Sequence, residues 1–282
     1  MKITLGHSPD PDDAFMFYAI QKKLVDTGDY QFEHVIQDIQ TLNERAFRQE
    51  LDITALSLHA YTALSDQYEI MYCGASVGDG YGPIVVSRLD TDDQSIRGKR
   101  VAIPGEWTTA FMVLKLFEPD FEYISIPFDQ ILTFVESGQA DFGLVIHEGQ
   151  VTYSKYKLSR VVDLGHWWKT KENLPLPLGL NAIRKDIPLN QKSEIQEILR
   201  KSIEYGLEHR KEALDYAMEF GRGINEGTAN QFVAMYVNQF TLDLSDEGVE
   251  AVKRLVLRAH EAKIISNLTD ISFVPTLNSE LV

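Results

Sequence analysis

The sequence has a single cysteine, Cys73, among its 282 residues. One thiol cannot form an internal disulfide, and it cannot build a cysteine-based zinc or iron–sulfur site. Basic residues are also scarce, because 27 Lys and Arg stand against 42 Asp and Glu and give a formal net charge of −15. Such an acidic surface repels phosphate backbones and anionic lipid heads. We therefore expect neither a nucleic-acid partner nor a membrane partner.

Long apolar runs and a targeting segment are absent as well. No apolar run approaches the ~20 residues that a membrane-spanning helix needs. The first residues, MKITLG, have the pattern of a strand and a turn, without the basic and apolar regions of a secretory signal. Hydrophobic residues make up 44% and charged residues 24% of the chain, which is typical of a folded globular protein. We expect a cytoplasmic protein.

Short apolar segments alternate with helical patterns over the first two thirds of the chain. Two β-α-β sets, at residues 3–72 and 100–146, each predict a mostly parallel sheet covered by helices. A glycine-rich, extended segment at residues 74–88 joins the sets, and residues 191–262 predict a tail of helices. These patterns indicate an α/β protein with two lobes that face each other across a ligand cleft.

The changes of pattern also set the expected lobe boundaries. Residues 1–87 and 179–282 are predicted to form a larger, discontinuous lobe, and residues 88–178 a smaller one. Within the larger lobe, Thr41 followed three residues later by Glu44 predicts a helix that begins with a capping box.

A loop rich in proline and aspartate follows the first predicted strand. It is either a well-formed turn into the first helix, or a segment in which Ser8 and neighbouring backbone groups line the cleft. The aspartates Asp10, Asp12 and Asp13 lie close together in it. They do not supply the rest of a coordination shell, so no metal is expected.

Two other strand ends carry hydroxyl groups. Ser57 follows the third strand, where it can cap a short helix, donate its hydroxyl to a ligand, or do both. Thr109 and Ala110 begin the first helix of the second set, and Thr108 is its candidate cap. Free backbone N–H groups at a helix N-terminus can bind a carboxylate or a phosphate. The sequence has no nucleotide-binding glycine motif.

One histidine follows an apolar strand of the second set. His147 is either a structural residue or a proton acceptor aimed into the cleft, since an imidazole titrates near neutrality. His7, at the end of the first strand, is a second candidate.

Three segments then coincide in order and spacing: residues 8–17 (SPDPDDAFMF), 108–110 (TTA) and 146–153 (IHEGQVTY). Together with the chain length, they resemble the 1,4-dihydroxy-6-naphthoate synthases of the futalosine route to menaquinone. The resemblance is firmest over residues 1–185. It implies a two-lobed fold similar to type II periplasmic binding proteins, here used as an enzyme that requires no redox cofactor and no metal.

The resemblance also implies a substrate, a reaction and site residues. The substrate would be cyclic dehypoxanthine futalosine, a carboxylate, and the reaction a carbon–carbon lyase step that yields the aromatic dihydroxynaphthoate. By the match at residues 146–148, His147 takes the role of general base. By the matches at 55–57 and 109–110, the substrate-binding positions are Ala55, Leu56, Ser57, Thr109 and Ala110.

Two other functions remain compatible with the sequence. One is the chorismate dehydratase of the same pathway, which is also a two-lobed lyase. The other is a non-catalytic cytosolic protein that binds a small carboxylate. The oligomeric state has no signal in the sequence.

Overall fold

A computed structural model describes residues 1–89, 95–220 and 224–275 of the chain. The predicted lobe ranges also include residues 90–94, 221–223 and 276–282, which lie outside the described residues. The strands are β1 (Lys2–His7), β2 (Gln31–Ile36), β3 (Ile53–Ser57), β4 (Tyr68–Ile70), β5 (Ser76–Gly78), β6 (Ile84–Arg88), β7 (Arg100–Ile103), β8 (Glu122–Ser125), β9 (Phe142–Val145), β10 (Leu158–Asp163) and β11 (Leu176–Arg184). The α-helices are α1 (Pro11–Gln21), α2 (Ile39–Phe47), α3 (Leu58–Tyr61), α4 (Thr109–Phe117), α5 (Ile131–Glu136), α6 (Gly149–Thr152), α7 (Leu164–Glu172), α8 (Leu189–Glu208), α9 (Arg210–Ala217), α10 (Glu226–Tyr236), α11 (Gln239–Leu242) and α12 (Ser245–Glu261).

The first lobe is built on a mixed sheet with the strand order β2-β1-β3-β11-β4, and β5 also pairs with β11. Strands β1, β2 and β3 are parallel, as the repeated β-α-β pattern predicts. Strand β11 runs antiparallel to β3, β4 and β5, because the chain enters this sheet from the other lobe. The expectation of a mostly parallel sheet therefore holds for β1 to β3 and is wrong for the half of the sheet around β11.

The second lobe is built on a sheet with the strand order β10-β6-β9-β7-β8. Here β7 is parallel to β8 and β9, whereas β6 is antiparallel to β9 and β10. Strand β6 spans Ile84–Arg88, so the pairing changes from the first sheet to the second shortly before the predicted boundary at residue 87. The chain passes into this lobe after β5 and returns through β11.

Helix α2 shows how local sequence and structure differ in detail. Its N-cap is Asp38, whose side chain accepts a hydrogen bond from the Thr41 backbone N–H at 3.0 Å. The Thr41 hydroxyl donates to the same carboxylate. The predicted cap at Thr41 is therefore wrong: the helix begins three residues earlier, and the Thr41 N–H is itself the amide that the Asp38 side chain caps.

Three large apolar clusters form the cores of the two lobes and of the region between them. One packs helices α1, α8, α9 and α10 against β1 and β3 in the first lobe. Another packs α5 against β6, β7 and β9 in the second lobe. The largest cluster contains buried residues of both lobes, such as Leu56 and Tyr61 from the first and Ile103 and Met112 from the second. The lobes therefore share an apolar contact next to the cleft.

Candidate functional site

A cavity of about 100 Å³ lies between the two lobes. It opens where β1 and β3 of the first lobe and β7 and β9 of the second lobe end, which is the usual position of ligands in open α/β sheets. Its lining residues are Ser8, Asp10, Asp12, Asp13, Ile39, Ala55, Ser57, Gly74, Ser76, Pro83, Thr108, Thr109, Ala110, Ile146, Leu178, Gly179, Leu180, Phe232 and Tyr236. The structure thus brings Ser8, Ala55, Ser57, Thr109 and Ala110 together around one space.

The N-terminus of α4 faces this cavity from the second lobe. Thr108 is the N-cap, and its hydroxyl oxygen accepts a hydrogen bond from the Phe111 N–H at 3.2 Å. That bond leaves the N–H groups of Thr109 and Ala110, the first two helical residues, without an acceptor among the described residues. Two free amides at the positive end of a helix dipole make a site suited to a carboxylate.

Ser57 faces the cavity from the first lobe and is held by Asn43 of α2. The Asn43 side-chain amide donates to Ser57 Oγ at 3.1 Å, and the Ser57 backbone N–H donates to Asn43 Oδ1 at 3.0 Å. Ser57 occupies the N-cap position of α3, but its hydroxyl makes no capping bond there. Because Oγ accepts from Asn43, its own proton is oriented away from that partner and can be donated to a ligand.

The loop between β1 and α1 supplies the acidic part of the lining. Asp13 accepts a hydrogen bond from the Ser8 backbone N–H at 2.6 Å and so fixes Ser8 at the cavity. Burial raises the pKa of Asp13 to about 7, and the Ser8 N–H partly offsets this rise. Burial and the neighbouring carboxylates of Asp13 and Asp10 raise the pKa of Asp12 well above its usual range. Both shifts favour the protonated forms of these carboxyls.

His147 lies just behind the cavity wall. It follows Ile146, whose side chain lines the cavity, whereas the His147 ring is 5% exposed and does not line it. The ring contacts Phe128 edge to face, with 5.1 Å between the centroids. Gly149 approaches it so closely that a Cβ atom there would lie 3.0 Å from His147 Cε1. Because the same Cβ would lie 2.8 Å from Val145 Cγ1, a residue larger than glycine at position 149 would press on both the Val145 side chain and the imidazole.

His7 and Leu56 also lie outside the lining. His7 Nδ1 donates to the Ser8 carbonyl at 3.0 Å, so its Nε2 accepts from His34 Nδ1, also at 3.0 Å. Burial lowers the pKa values of both imidazoles to about 4 and keeps the pair neutral at physiological pH. The Leu56 side chain is fully buried in the shared apolar cluster. This follows from strand geometry, since Ala55 and Ser57 lie on the opposite face of β3.

Hydrogen bonds join the two lobes on both sides of the cavity. On one side, the Tyr236 hydroxyl of α10 donates to Gln150 Oε1 of α6 at 2.8 Å. On the other side, the Trp107 backbone N–H donates to Gln40 Oε1 of α2 at 3.2 Å. The Thr109 hydroxyl donates to the Leu178 carbonyl of β11 at 2.6 Å. These bonds indicate that the structure represents a closed arrangement of the lobes.

Several lining residues were not predicted from the sequence. Phe232 and Tyr236 come from α10, in the helical tail, and Leu178 and Leu180 come from β11. Asn43 does not line the cavity but positions Ser57. Its signal was weak but present, because an asparagine on the apolar face of an amphipathic helix needs a hydrogen-bond partner.

Over the parts of the chain that the structure describes, no helix combines the length and the apolar character needed to cross a membrane.

Solved structures define the class of protein to which this fold and its cleft correspond. The alkanesulfonate-binding protein of Xanthomonas axonopodis pv. citri, bound to MOPS, superposes with a TM-score of 0.73 at 12% identity over 95% of each chain. A protein of Archaeoglobus fulgidus superposes with a TM-score of 0.90 at 47% identity, over 94% of this chain and 98% of that one. The fold is that of the periplasmic binding proteins, with two lobes around a ligand cleft, as predicted.

Sequence similarity then assigns the family. The family profile for menaquinone biosynthesis matches residues 3–261, so the chain belongs to that family. A 1,4-dihydroxy-6-naphthoate synthase of Thermus thermophilus is 39% identical over 257 residues, which are 91% of this chain and 93% of that protein. The same-named protein of Streptomyces coelicolor is 32% identical over 263 residues, 91% and 92% of the two chains.

Proposed function

We propose that this protein converts cyclic dehypoxanthine futalosine to 1,4-dihydroxy-6-naphthoate in a carbon–carbon lyase step. The observation that carries the proposal is the similarity, over nine tenths of the chain, to two relatives that are both named for synthesis of this naphthoate. The match to the menaquinone biosynthesis family supports the same pathway. The cavity between the lobes supports a small-molecule substrate.

The substrate carboxylate is proposed to bind at the N-terminus of α4. The N–H groups of Thr109 and Ala110 and the hydroxyl of Ser57 line one cavity and can all donate to it. No Lys or Arg is among the lining residues that the structure describes, so these neutral donors would carry the recognition. A hydrogen bond to a charged acceptor contributes about 1.5–3 kcal/mol, and such donors need no counter-ion.

His147 is proposed as the general base. Removal of a substrate proton would begin the cleavage, and the gain of aromaticity would make the later loss of the sugar-derived fragment favourable. The ring follows the lining residue Ile146 but is packed against Phe128 in this closed arrangement. The proposal therefore includes a turn of the 146–148 segment that brings the imidazole to the substrate. A positioned histidine typically contributes about 10²–10⁴-fold to the rate.

The decisive experiment is incubation of the purified protein with cyclic dehypoxanthine futalosine, followed by chromatographic detection of the naphthoate. Chorismate is tested in parallel, and turnover of chorismate alone would contradict the proposal. No turnover of either compound, together with tight binding of a small carboxylate, would indicate a binding protein.

A pair of variants tests the base. We expect His147→Ala to lower kcat by roughly 10² or more while binding of the naphthoate product changes little. The matched control is His166→Ala, since His166 lies exposed in the same lobe, at the start of α7. Wild-type turnover by His147→Ala would remove this histidine from the mechanism.

A further inference from the structure

The cavity has an unusual charge balance for a site that is proposed to bind an anion. Asp10, Asp12 and Asp13 line it, and no Lys, Arg or His does so among the described lining residues. If all three carboxyls were ionised, they would repel a carboxylate held at the N-terminus of α4 in the same space. At least one of them must therefore be neutral when an anion binds.

Asp12 is the carboxyl whose surroundings leave an oxygen available. It lies in the first turn of α1, directly after Pro11, and is 7% exposed. Its Oδ1 atom is buried and has no hydrogen-bond partner among the described residues. Asp13 differs, because its carboxylate is engaged by the Ser8 N–H. A buried polar atom without a partner is costly, and here it belongs to a residue that lines the ligand cavity.

The electrostatic surroundings of Asp12 favour its protonated form. Burial is the largest cause of its raised pKa, followed by the charges of Asp13 and Asp10 from its own segment. From α10, which packs against α1, the facing titratable group is the phenol of Tyr236, whose own pKa is raised by burial. The causes that lower its pKa are hydrogen bonds from the backbone amides of Asp12 and Asp13, and no cationic side chain adds to them. A neutral carboxyl, unlike a carboxylate, can donate a hydrogen bond.

We propose that Asp12 contacts the ligand as a neutral carboxylic acid and donates its proton in a hydrogen bond to an oxygen atom of a bound ring monocarboxylate. This inference rests on the proposed function for the class of ligand. It places two kinds of donor around one carboxylate: the free amides of α4 bind one of its oxygens, and the carboxyl of Asp12 binds the other. Ionisation of Asp12 removes the donor and adds repulsion, so binding is coupled to retention of one proton.

The experiment measures binding of 2-naphthoate by titration calorimetry from about pH 6 to about pH 9, where this probe itself does not titrate. The dissociation constant is expected to be flat at low pH and then to rise about tenfold per pH unit, because binding requires one bound proton. At the pH values where the dissociation constant rises, titrations in buffers of different ionisation enthalpy are expected to show that the protein takes up one proton when the ligand binds. This measurement needs only the wild-type protein.

A matched pair of variants locates the proton. Asp12→Asn keeps a neutral side chain of the same size, so we expect it to bind 2-naphthoate and to lose the rise of the dissociation constant. Asp66→Asn is the control, because Asp66 is exposed and lies outside the cavity lining; it is expected to behave as the wild type. A dissociation constant that is independent of pH, that falls as pH rises, or that keeps its pH dependence in Asp12→Asn overturns the inference. So does failure of 2-naphthoate to bind at any pH.

These outcomes are separate from those of the turnover assay. If the expected proton uptake occurs but cyclic dehypoxanthine futalosine is not converted, the proposed reaction fails and the role of Asp12 stands. If the naphthoate is formed while binding shows no proton uptake, the reaction stands and the role of Asp12 is refuted.

Discussion

The hydrogen bond between Tyr236 and Gln150 joins the lobes across the cavity, and we expect its loss to weaken ligand binding. Tyr236→Phe removes the donor and leaves Gln150 Oε1 buried without a partner in the closed arrangement. Such an unsatisfied acceptor costs ~1–3 kcal/mol. When the lobes open, water can reach the amide, so the cost falls on the closed arrangement alone. A shift of ~1.4 kcal/mol raises the dissociation constant about tenfold.

The assay is calorimetric or fluorescence titration with 1,4-dihydroxy-6-naphthoate. Because Tyr236 also lines the cavity, the partner variant Gln150→Leu is needed, since Gln150 does not line it. If the bond acts by joining the lobes, Gln150→Leu weakens binding similarly, and the double variant is no weaker than either single one. Tyr61→Phe is the control for stability, because the Tyr61 hydroxyl donates to the Ser272 carbonyl within the first lobe. Normal binding by Gln150→Leu would refute the reasoning.

Three further predictions concern the anion site, the histidine and acid stability. Proline is tolerated at the first position of α4, so Thr109→Pro deletes the N–H at this position without breaking the helix, and we expect about tenfold weaker binding of 2-naphthoate. The control Thr109→Val keeps the amide and removes only the hydroxyl, so it separates the effect of the lost N–H from that of the lost hydroxyl. Gly149→Ala places a Cβ atom 2.8 Å from Val145 Cγ1 and 3.0 Å from His147 Cε1, where it hinders the proposed turn of the 146–148 segment, so we expect kcat to fall about tenfold or more with little change in KM. Wild-type kcat in this variant would contradict the need for that turn. Burial lowers the pKa of His59 to about 4, so the unfolded chain takes up a proton that the folded protein excludes, and stability falls as pH decreases. Chemical denaturation at about pH 7 and about pH 5 should show the wild type losing roughly 2 kcal/mol relative to His59→Gln, and an unchanged difference would contradict the neutral state of His59.

Local patterns were sufficient to predict the parts of the fold that depend on neighbouring residues. The alternation of strands and helices in the first lobe follows from hydrophobic periodicity, and β1, β2 and β3 are parallel as expected. The antiparallel entry of β11 could not be predicted in the same way. Its direction depends on how residues 84–163 fold as a separate sheet before the chain returns. Long-range connections of this kind leave no periodic signal in the strand itself.

The candidate site also contains some residues that the sequence predicts and others that it does not. Ser57, Thr109 and Ala110 stand at strand ends and helix starts, where free backbone groups are predictable from the chain, and all three line the cavity. Phe232 and Tyr236 come from a helix far along the sequence, whose pattern shows only that it is amphipathic. The orientation of His147 depends on Phe128 and on the close approach of Gly149. Neither contact can be deduced from the IHEG segment alone.

The position of Trp107 provides the molecule with an intrinsic optical reporter. Its indole belongs to the second lobe but packs at a tilt against the rings of Phe47 and His59 of the first, with ring centroids 4.7 Å and 5.4 Å apart. The other two tryptophans of the chain, Trp167 and Trp168, are both in α7, where the Trp167 ring contacts Phe117 of the second lobe. Separation of the lobes would break both of these contacts of Trp107. A change in emission that Trp107→Phe abolishes would therefore follow the motion in real time, without any attached dye.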